Sequence, residues 1–418
     1  MTSRSNDQSG CGECSGYATS RRGFLGLGAA AGLAGVTTTM LGDVMTSAVF
    51  GAAPGERILV VLSQRGGADG LSIVVPHAES AYYAARPSIA VAKSSLLVPD
   101  SRFGLHPSLK PLLPLWSSGR MAAIQAVGMP VPNRSHFDAM VELEDAAPGS
   151  SVRAGWLNRL IGALEGPHAD AFSGVASGSS LLPTSLTGPR HTLAMADAAE
   201  LVLPYAGSDQ AAGVAAALRS LHGGSDAVSQ VGREAISVTR RGRRVIAAAS
   251  TRTSYPNSDL GAALKQSAAL IRADLGVRAI AVDSGGWDHH VNLSSLLPTV
   301  LGDLASSVAA FFADLGDLAE RVTLVTVSEF GRRLAQNGAH GLDHGYGNAV
   351  LVLGGGVKGG YYGRWPGLSA GKQVDGDLAV TTDVRHVWGE ILESRFPAVD
   401  RTKVLPNAGG LRRLGFMR

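Results

Sequence analysis

The feature that most constrains this chain is a repeated pairing of a short, unbroken apolar run with a glycine turn. Arg57-Ile58-Leu59-Val60-Val61-Leu62 is followed by Arg65-Gly66-Gly67-Ala68-Asp69-Gly70. Ala279-Ile280-Ala281-Val282 leads to Gly285-Gly286, and Ala349–Leu353 leads to Gly354–Gly356. Runs without polar alternation, rich in β-branched residues, suit strands that are buried on both faces. Met121–Val127 and Arg321–Val327 read as further strands, and Leu71–Val75 as a short one. Leu293–Leu318 instead places Leu301, Leu304, Val308, Phe311, Phe312 and Leu315 at helical spacing. Strand and helix in alternation, with glycine at the strand ends, predict an α/β fold with a mainly parallel sheet. In such sheets ligands bind just beyond the C-terminal strand ends.

Composition supports a large core. Hydrophobic residues make up 45% of the 418, and charged residues only 17%, against a usual ~25%. That balance excludes a disordered chain. The 54 glycines show no three-residue period, which excludes a collagen-like chain. A formal net charge of +3 gives no electrostatic case for a nucleic-acid partner.

The first residues read as an address. Ser20-Arg21-Arg22-Gly23-Phe24-Leu25 is a twin-arginine signature, followed by a weakly apolar stretch rich in Gly and Ala. That stretch is too weak for a membrane span, which takes about 20 strongly apolar residues. Small residues around Ser47–Ala53 offer cleavage positions. Residues 1–53 are therefore expected to be an export signal. The twin-arginine translocation machinery is then a partner, the location is periplasmic, cell-wall-associated or extracellular, and no stable span remains. Cys11 and Cys14 fall in this segment, so the mature chain would lack disulfides and thiolate chemistry. Residues 54–418 are expected to form one domain. Gly174–Ser258, rich in Ala, Ser and Gly and helical around Ala211–Leu221, reads as an insertion or cap. Its basic run Thr239–Arg244 reads as a solvated helix face.

Polar residues gather after the strands. Arg65 and Asp69 follow the first, and Asn133-Arg134-Ser135-His136 follows Met121–Val127. Asp288 and His290 follow Ala279–Val282, and Glu329 follows Val327, with Asp343-His344 soon after. Carboxylates and imidazoles at consecutive strand ends are the donor types that divalent metals take. Each histidine, taken alone, reads more readily as a hydrogen-bonded structural residue. Ser135 reads both as a hydroxyl nucleophile and as a helix N-cap.

RGGADGLSIVVP, PNRSHFDAM, GGWDHH, SEFGRR and LDHGYGNAVLVLGGGVKGGYYG, in that order, resemble the bacterial exported family labelled domain of unknown function 1501. That family resembles the alkaline phosphatase and sulfatase superfamily. The resemblance implies a three-layer α/β/α sandwich with a helical insertion, one or two divalent ions (Zn, Ca, Mg or Mn) and a hydroxyl nucleophile. Its metal ligands would come from Asp69, Asp288, His290, Glu329, Asp343 and His344. Ser135, with His136 beside it, would be catalytic, and Arg65 or Arg134 would clamp an anion. Glu329 stands where the phosphatases carry an Asp, and Phe330 where they carry a ligating His. Gln64-Arg65 displaces the first-strand Asp, and the resemblance leaves Asp69 as its substitute. The implied function is an exported metal-dependent hydrolase of phosphate or sulfate esters, acting through the serine hydroxyl or a metal-activated water on a small-molecule or polysaccharide substrate. The departures leave open a non-catalytic binding or assembly protein on the same scaffold. Trp287, Tyr346, Tyr361, Tyr362 and Trp365 leave a carbohydrate-stacking role open.

Overall fold

Ile58–Gln64 forms the central strand, β1, and all seven of its residues are buried. Ile58, Val60 and Leu62 point into one apolar core, and Leu59 and Val61 into a second on the opposite face. The unbroken apolar run is therefore the signature of a strand with two covered faces. This computed structural model describes residues 56–148, 153–165, 170–201, 210–251 and 253–418. The export signal expected at residues 1–53 lies outside the described residues.

Eight further strands join β1 in one sheet. They are β2 (Met121–Gly128), β3 (Gly174–Ser177), β4 (Leu193–Met195), β5 (Ala279–Ser284), β6 (Val322–Val327), β7 (Asn348–Gly354), β8 (Gly360–Tyr362) and β9 (Thr382–Asp383). The order is β8-β2-β7-β6-β1-β5-β3-β4, and β9 also pairs with β2. β1 runs parallel to both β5 and β6, and β3 is parallel to β4 and β5. β7 is antiparallel to its neighbours β2 and β6. The C-terminal ends of β1, β2, β5 and β6 thus share one edge with the start of β7.

Seven helices of ten or more residues flank the sheet among the described residues: α1 (His136–Asp145), α2 (Trp156–Glu165), α3 (Ala211–Leu221), α4 (Ala227–Ala247), α5 (Asp259–Arg272), α6 (Leu293–Leu315) and α7 (Val384–Arg395). Residues of α5 and α6 fill the first core with Val238 and Val245 of α4. Residues of α1, α2 and α7 fill the second, where Trp156 stacks on Trp388 at 4.6 Å. The result is the expected three-layer α/β/α arrangement. Residues Leu293–Arg321 are long and apolar enough to cross a membrane, yet half of their most apolar stretch is buried. α6 is a core helix of the sandwich.

Two local differences from the sequence reading have clear causes. Leu71–Val75 is not one strand: Gly70–Ile73 form a helical turn, and only Val74–Val75 pair, with Gly104–Leu105. The Asp69 carbonyl accepts from the Ser72 and Ile73 amides at 3.1 Å each, which winds the chain at that point. The segment 174–258 opens with β3 and β4, which extend the main sheet, so its helices α3 and α4 alone lie off the strand path. Within Thr239–Arg244, Arg241 turns inward to bond Asp170 and the Leu275 carbonyl, whereas Arg240, Arg243 and Arg244 are exposed.

Buried polar groups pin the layers. Arg86 and Asp69 form a two-point ion pair at 0% and 1% exposure. Removing either partner would leave a buried charge uncompensated, at about 3–5 kcal/mol. His106, 6% exposed, accepts the Ser108 amide on Nδ1 at 3.1 Å, which requires an unprotonated nitrogen. Burial pushes its pKa down from 6.5 to about 4, against a smaller opposing pull from Asp69. Between those two values the unfolded chain binds the proton and the folded chain does not, so stability is full above pH 6.5 and is lost as pH falls towards 4. The loss from this group is at most about 3 kcal/mol. Denaturant melts of the wild type and of His106→Asn between pH 7 and 4.5 should show a shallower acid loss in the variant. Parallel curves would contradict this role.

Candidate metal centre

The turn after β1 brings the strand ends together because two of its residues lack a side chain. A Cβ on Gly66 would lie 2.6 Å from the Asp288 amide, and one on Gly67 would lie 2.5 Å from the Phe330 ring. Both glycines also have positive φ, at 119° and 67°, where larger residues are strained. Asp288 and Phe330 can therefore press against the β1 turn from two sides.

Three side chains then converge. His136 opens α1, Asp288 follows β5, and His344 precedes β7. One ligand atom from each lies within 4.8 Å of the others. His136 Nε2 stands 3.7 Å from Asp288 Oδ1, and His344 Nε2 stands 3.6 Å from it. Both imidazoles are set in one tautomer by acceptors behind them. Glu329 Oε1 accepts from His136 Nδ1 at 2.8 Å, and the Arg134 carbonyl accepts from His344 Nδ1 at 2.9 Å. Carboxylate and carbonyl can only accept here, so Nδ1 is the donor in both rings and Nε2 is the atom left to ligate a cation. His136 Nε2 is buried with no hydrogen-bond partner. An orphaned buried acceptor facing a carboxylate and a second imidazole is a fit for a divalent cation. The backing acceptors are of the kind that orient metal-bound histidines.

Electrostatics agree with that donor set. Burial lowers the His344 pKa, as do Arg332 and the neighbouring histidines, and together they outweigh the bond to the Arg134 carbonyl. Burial alone would raise Asp288, but the hydrogen bond and charge of Arg332 hold it below the ordinary carboxylate range. His290 stands beside this trio. Its Nδ1 is 3.3 Å from Asp343 Oδ1, and its Nε2 is 3.0 Å from both Asp288 Oδ1 and His344 Nε2 and 3.4 Å from Arg332 Nη1. Asn337 also donates to Asp343, at 3.0 Å, so Asp343 acts by orienting His290.

The remaining sequence candidates are placed elsewhere. Asp69 is committed to Arg86 in the interior. Arg65 bridges Glu144 at 2.6 Å and Asp283 at 3.0 Å, and Arg134 is tied to Asp377. Ser135 caps α1, with Oγ accepting the Asp138 amide at 3.4 Å. Glu329 stands behind His136 and also accepts the Gly66 amide, at 2.8 Å. Trp287 and Tyr346 are buried, Tyr361 packs on Trp116 and Phe103, and Trp365 packs on Phe103. Tyr362 is half-buried against Phe416. These five rings are packing elements.

Arg332 is the group that sequence reasoning passed over. At 1% exposure it bonds the Gly66, Gly67 and Leu342 carbonyls and pairs with Asp288. SEFGRR contained the only available signal, a charged residue two positions after a strand-end aromatic. Phe330 packs beside both imidazoles, 4.9 Å from the His136 ring and 4.8 Å from the His344 ring, and those two rings meet edge-on at 4.3 Å.

Fold and site together define an α/β protein with a candidate two-histidine, one-carboxylate metal centre at its strand ends. A family model described as "Protein of unknown function (DUF1501)" matches residues 116–386, more than half of the 418-residue chain. The chain belongs to this family. No curated protein matches it. Among solved structures, the alkaline phosphatase from the Antarctic bacterium TAB5 is similar at 10% identity and a TM-score of 0.33, over 73% of this chain and 94% of that one. A histidine-to-glutamate mutant of that TAB5 enzyme with Mg bound in its M3 site is similar at 9% identity and a TM-score of 0.31, over 73% and 92%. A likeness this slight says nothing about the reaction.

Calorimetric titration of the protein with Zn²⁺ or Mn²⁺ should show one site. His136→Ala and Asp288→Ala should abolish it. Glu329→Gln, which keeps the shape but weakens the acceptor behind His136, should lower affinity by about 10–100-fold. Unchanged affinity in all three variants would exclude this centre.

Proposed function

We propose that this chain is an exported metal-dependent hydrolase of phosphate or sulfate esters. The observation that carries the reading is the convergence of His136, Asp288 and His344, with both imidazoles locked by acceptors behind them. A divalent ion held there would supply Lewis-acid polarisation of an ester oxygen. The chain's own groups would do the rest. Asp288 contributes the negative charge that holds the cation, and Arg332 keeps that carboxylate ionised and aimed. As ligands, the His136 and His344 imidazoles would add no charge. Ser135 sits at the start of α1, where the amide groups of a helix N-terminus favour a developing oxyanion. Its hydroxyl is the candidate nucleophile, and an attacking water is the alternative route. Arg134 and Arg65, each about a third exposed, lie on segments beside the centre. Either must loosen a carboxylate partner before it can grip a substrate oxyanion.

A second reading, a binding protein on a hydrolase-like scaffold, is favoured by one observation. Arg332 already supplies a positive charge to Asp288.

A panel of phosphate monoester, phosphate diester and sulfate ester substrates, assayed with divalent metal and with chelator, separates the two. The hydrolase reading expects turnover of at least one ester that chelation abolishes. Ser135→Ala should then lower kcat by about 100-fold or more if the hydroxyl attacks, with a stability loss of only about 1 kcal/mol from the missing cap. Unchanged kcat would transfer attack to water. No turnover across the panel by metal-loaded protein would favour the binding reading.

A further inference from the structure

A second charged feature lies far along the chain from the metal centre and independent of it. Helices α3 and α4 together carry six arginines and one acidic residue, Glu234, and His191 engages that glutamate. Between the helices lies a groove of about 560 Å³. Arg219, Arg233, Arg240 and Arg243 line it, over an apolar floor that includes Ala215 and Ile236. All four arginines are exposed. Arg233 donates to the His222 carbonyl at 2.6 Å. Arg219, Arg240 and Arg243 have no hydrogen bond or ion pair among the described residues.

Arg241 explains why the others are free to face outward. It anchors the inner side of α4 through Asp170, the Leu275 carbonyl and the Phe172 ring, 4.9 Å away. On the outer side, Arg233 and Arg240 are seven residues apart, about 10 Å along the helix axis. Arg240 and Arg243 are neighbours one turn apart. Like charges gathered without counter-charges repel, and an apolar floor strengthens any pairing they make with an anion. Guanidinium forks match tetrahedral oxyanions in two-point geometry.

We infer that the α3–α4 groove binds a flexible linear polyanion bearing sulfate or phosphate groups. The concave shape favours a chain over the flat surface of a bilayer. Among the described residues the lining contains no aromatic ring, whereas single-stranded nucleic acid is gripped largely by base stacking.

The test measures binding of the full chain to labelled dextran sulfate and to inorganic polyphosphate, with neutral dextran, phosphatidylglycerol vesicles and an oligonucleotide alongside. At least one of the two polyanions should bind, and the stronger identifies sulfate or phosphate as the recognised group. Affinity should fall about tenfold or more between low and moderate salt. The double substitution Arg240→Glu and Arg243→Glu should weaken binding at least about tenfold. Both positions are exposed, so the melting temperature and divalent-ion binding should not change. Affinity within twofold of wild type in that variant would overturn the inference. So would a lack of binding to both polyanions, or tighter binding to vesicles or oligonucleotide than to either.

Discussion

One buried guanidinium holds the strand ends in register. Arg332 reaches from the loop after β6 to the Gly66 and Gly67 carbonyls after β1, to the Leu342 carbonyl, and to Asp288 after β5. A buried arginine is tolerable only when its donors are met and its charge is answered. Three carbonyls and one carboxylate do both. The same contacts fix the carboxylate on which the metal centre would depend, so folding at this edge and the proposed chemistry share a residue. Loss of Arg332 would release three loops together.

The second constraint is steric. Backbone and rings approach so closely at Gly66 and Gly67 that a methyl group at either would collide. The loops after β1, β5 and β6 meet only because those positions are empty of side chain. Glycine at the strand ends is thus the condition for bringing Asp288, Phe330 and Arg332 against one turn. Phe330 then packs beside the His136 and His344 rings, which meet each other edge-on at 4.3 Å.

Much of the architecture was legible because burial on both faces leaves a plain trace. The runs at Ile58–Gln64, Ala279–Ser284, Val322–Val327 and Asn348–Gly354 are strands within one or two residues of the reading. Gly70–Ile73 was not legible, since the turn depends on the Asp69 carbonyl. β3 and β4 were hidden for a different reason: three or four residues of Gly, Ala, Ser, Val, Leu and Met carry too short a pattern. In the site, residue types at strand ends pointed to Asp288 and His344 as ligands, whereas His136 read as catalytic beside Ser135 and joins the ligand cluster only in the fold. Sequence could not show which carboxylates face inward. Asp69 and Glu329 have the same chemistry as Asp288. One is spent on Arg86 and the other stands behind His136, and only the fold assigns those partners. Arg332 stayed hidden because its role is made by distant backbone carbonyls, which have no sequence identity.

His136, Asp288 and His344 are placed to hold one divalent ion. X-ray absorption at the zinc edge of the Zn-loaded full chain tests it most directly. Two imidazole nitrogens and carboxylate oxygen should appear at about 2.0–2.2 Å, with one imidazole lost in His344→Ala. A spectrum of oxygen ligands alone, unchanged by that substitution, would contradict it.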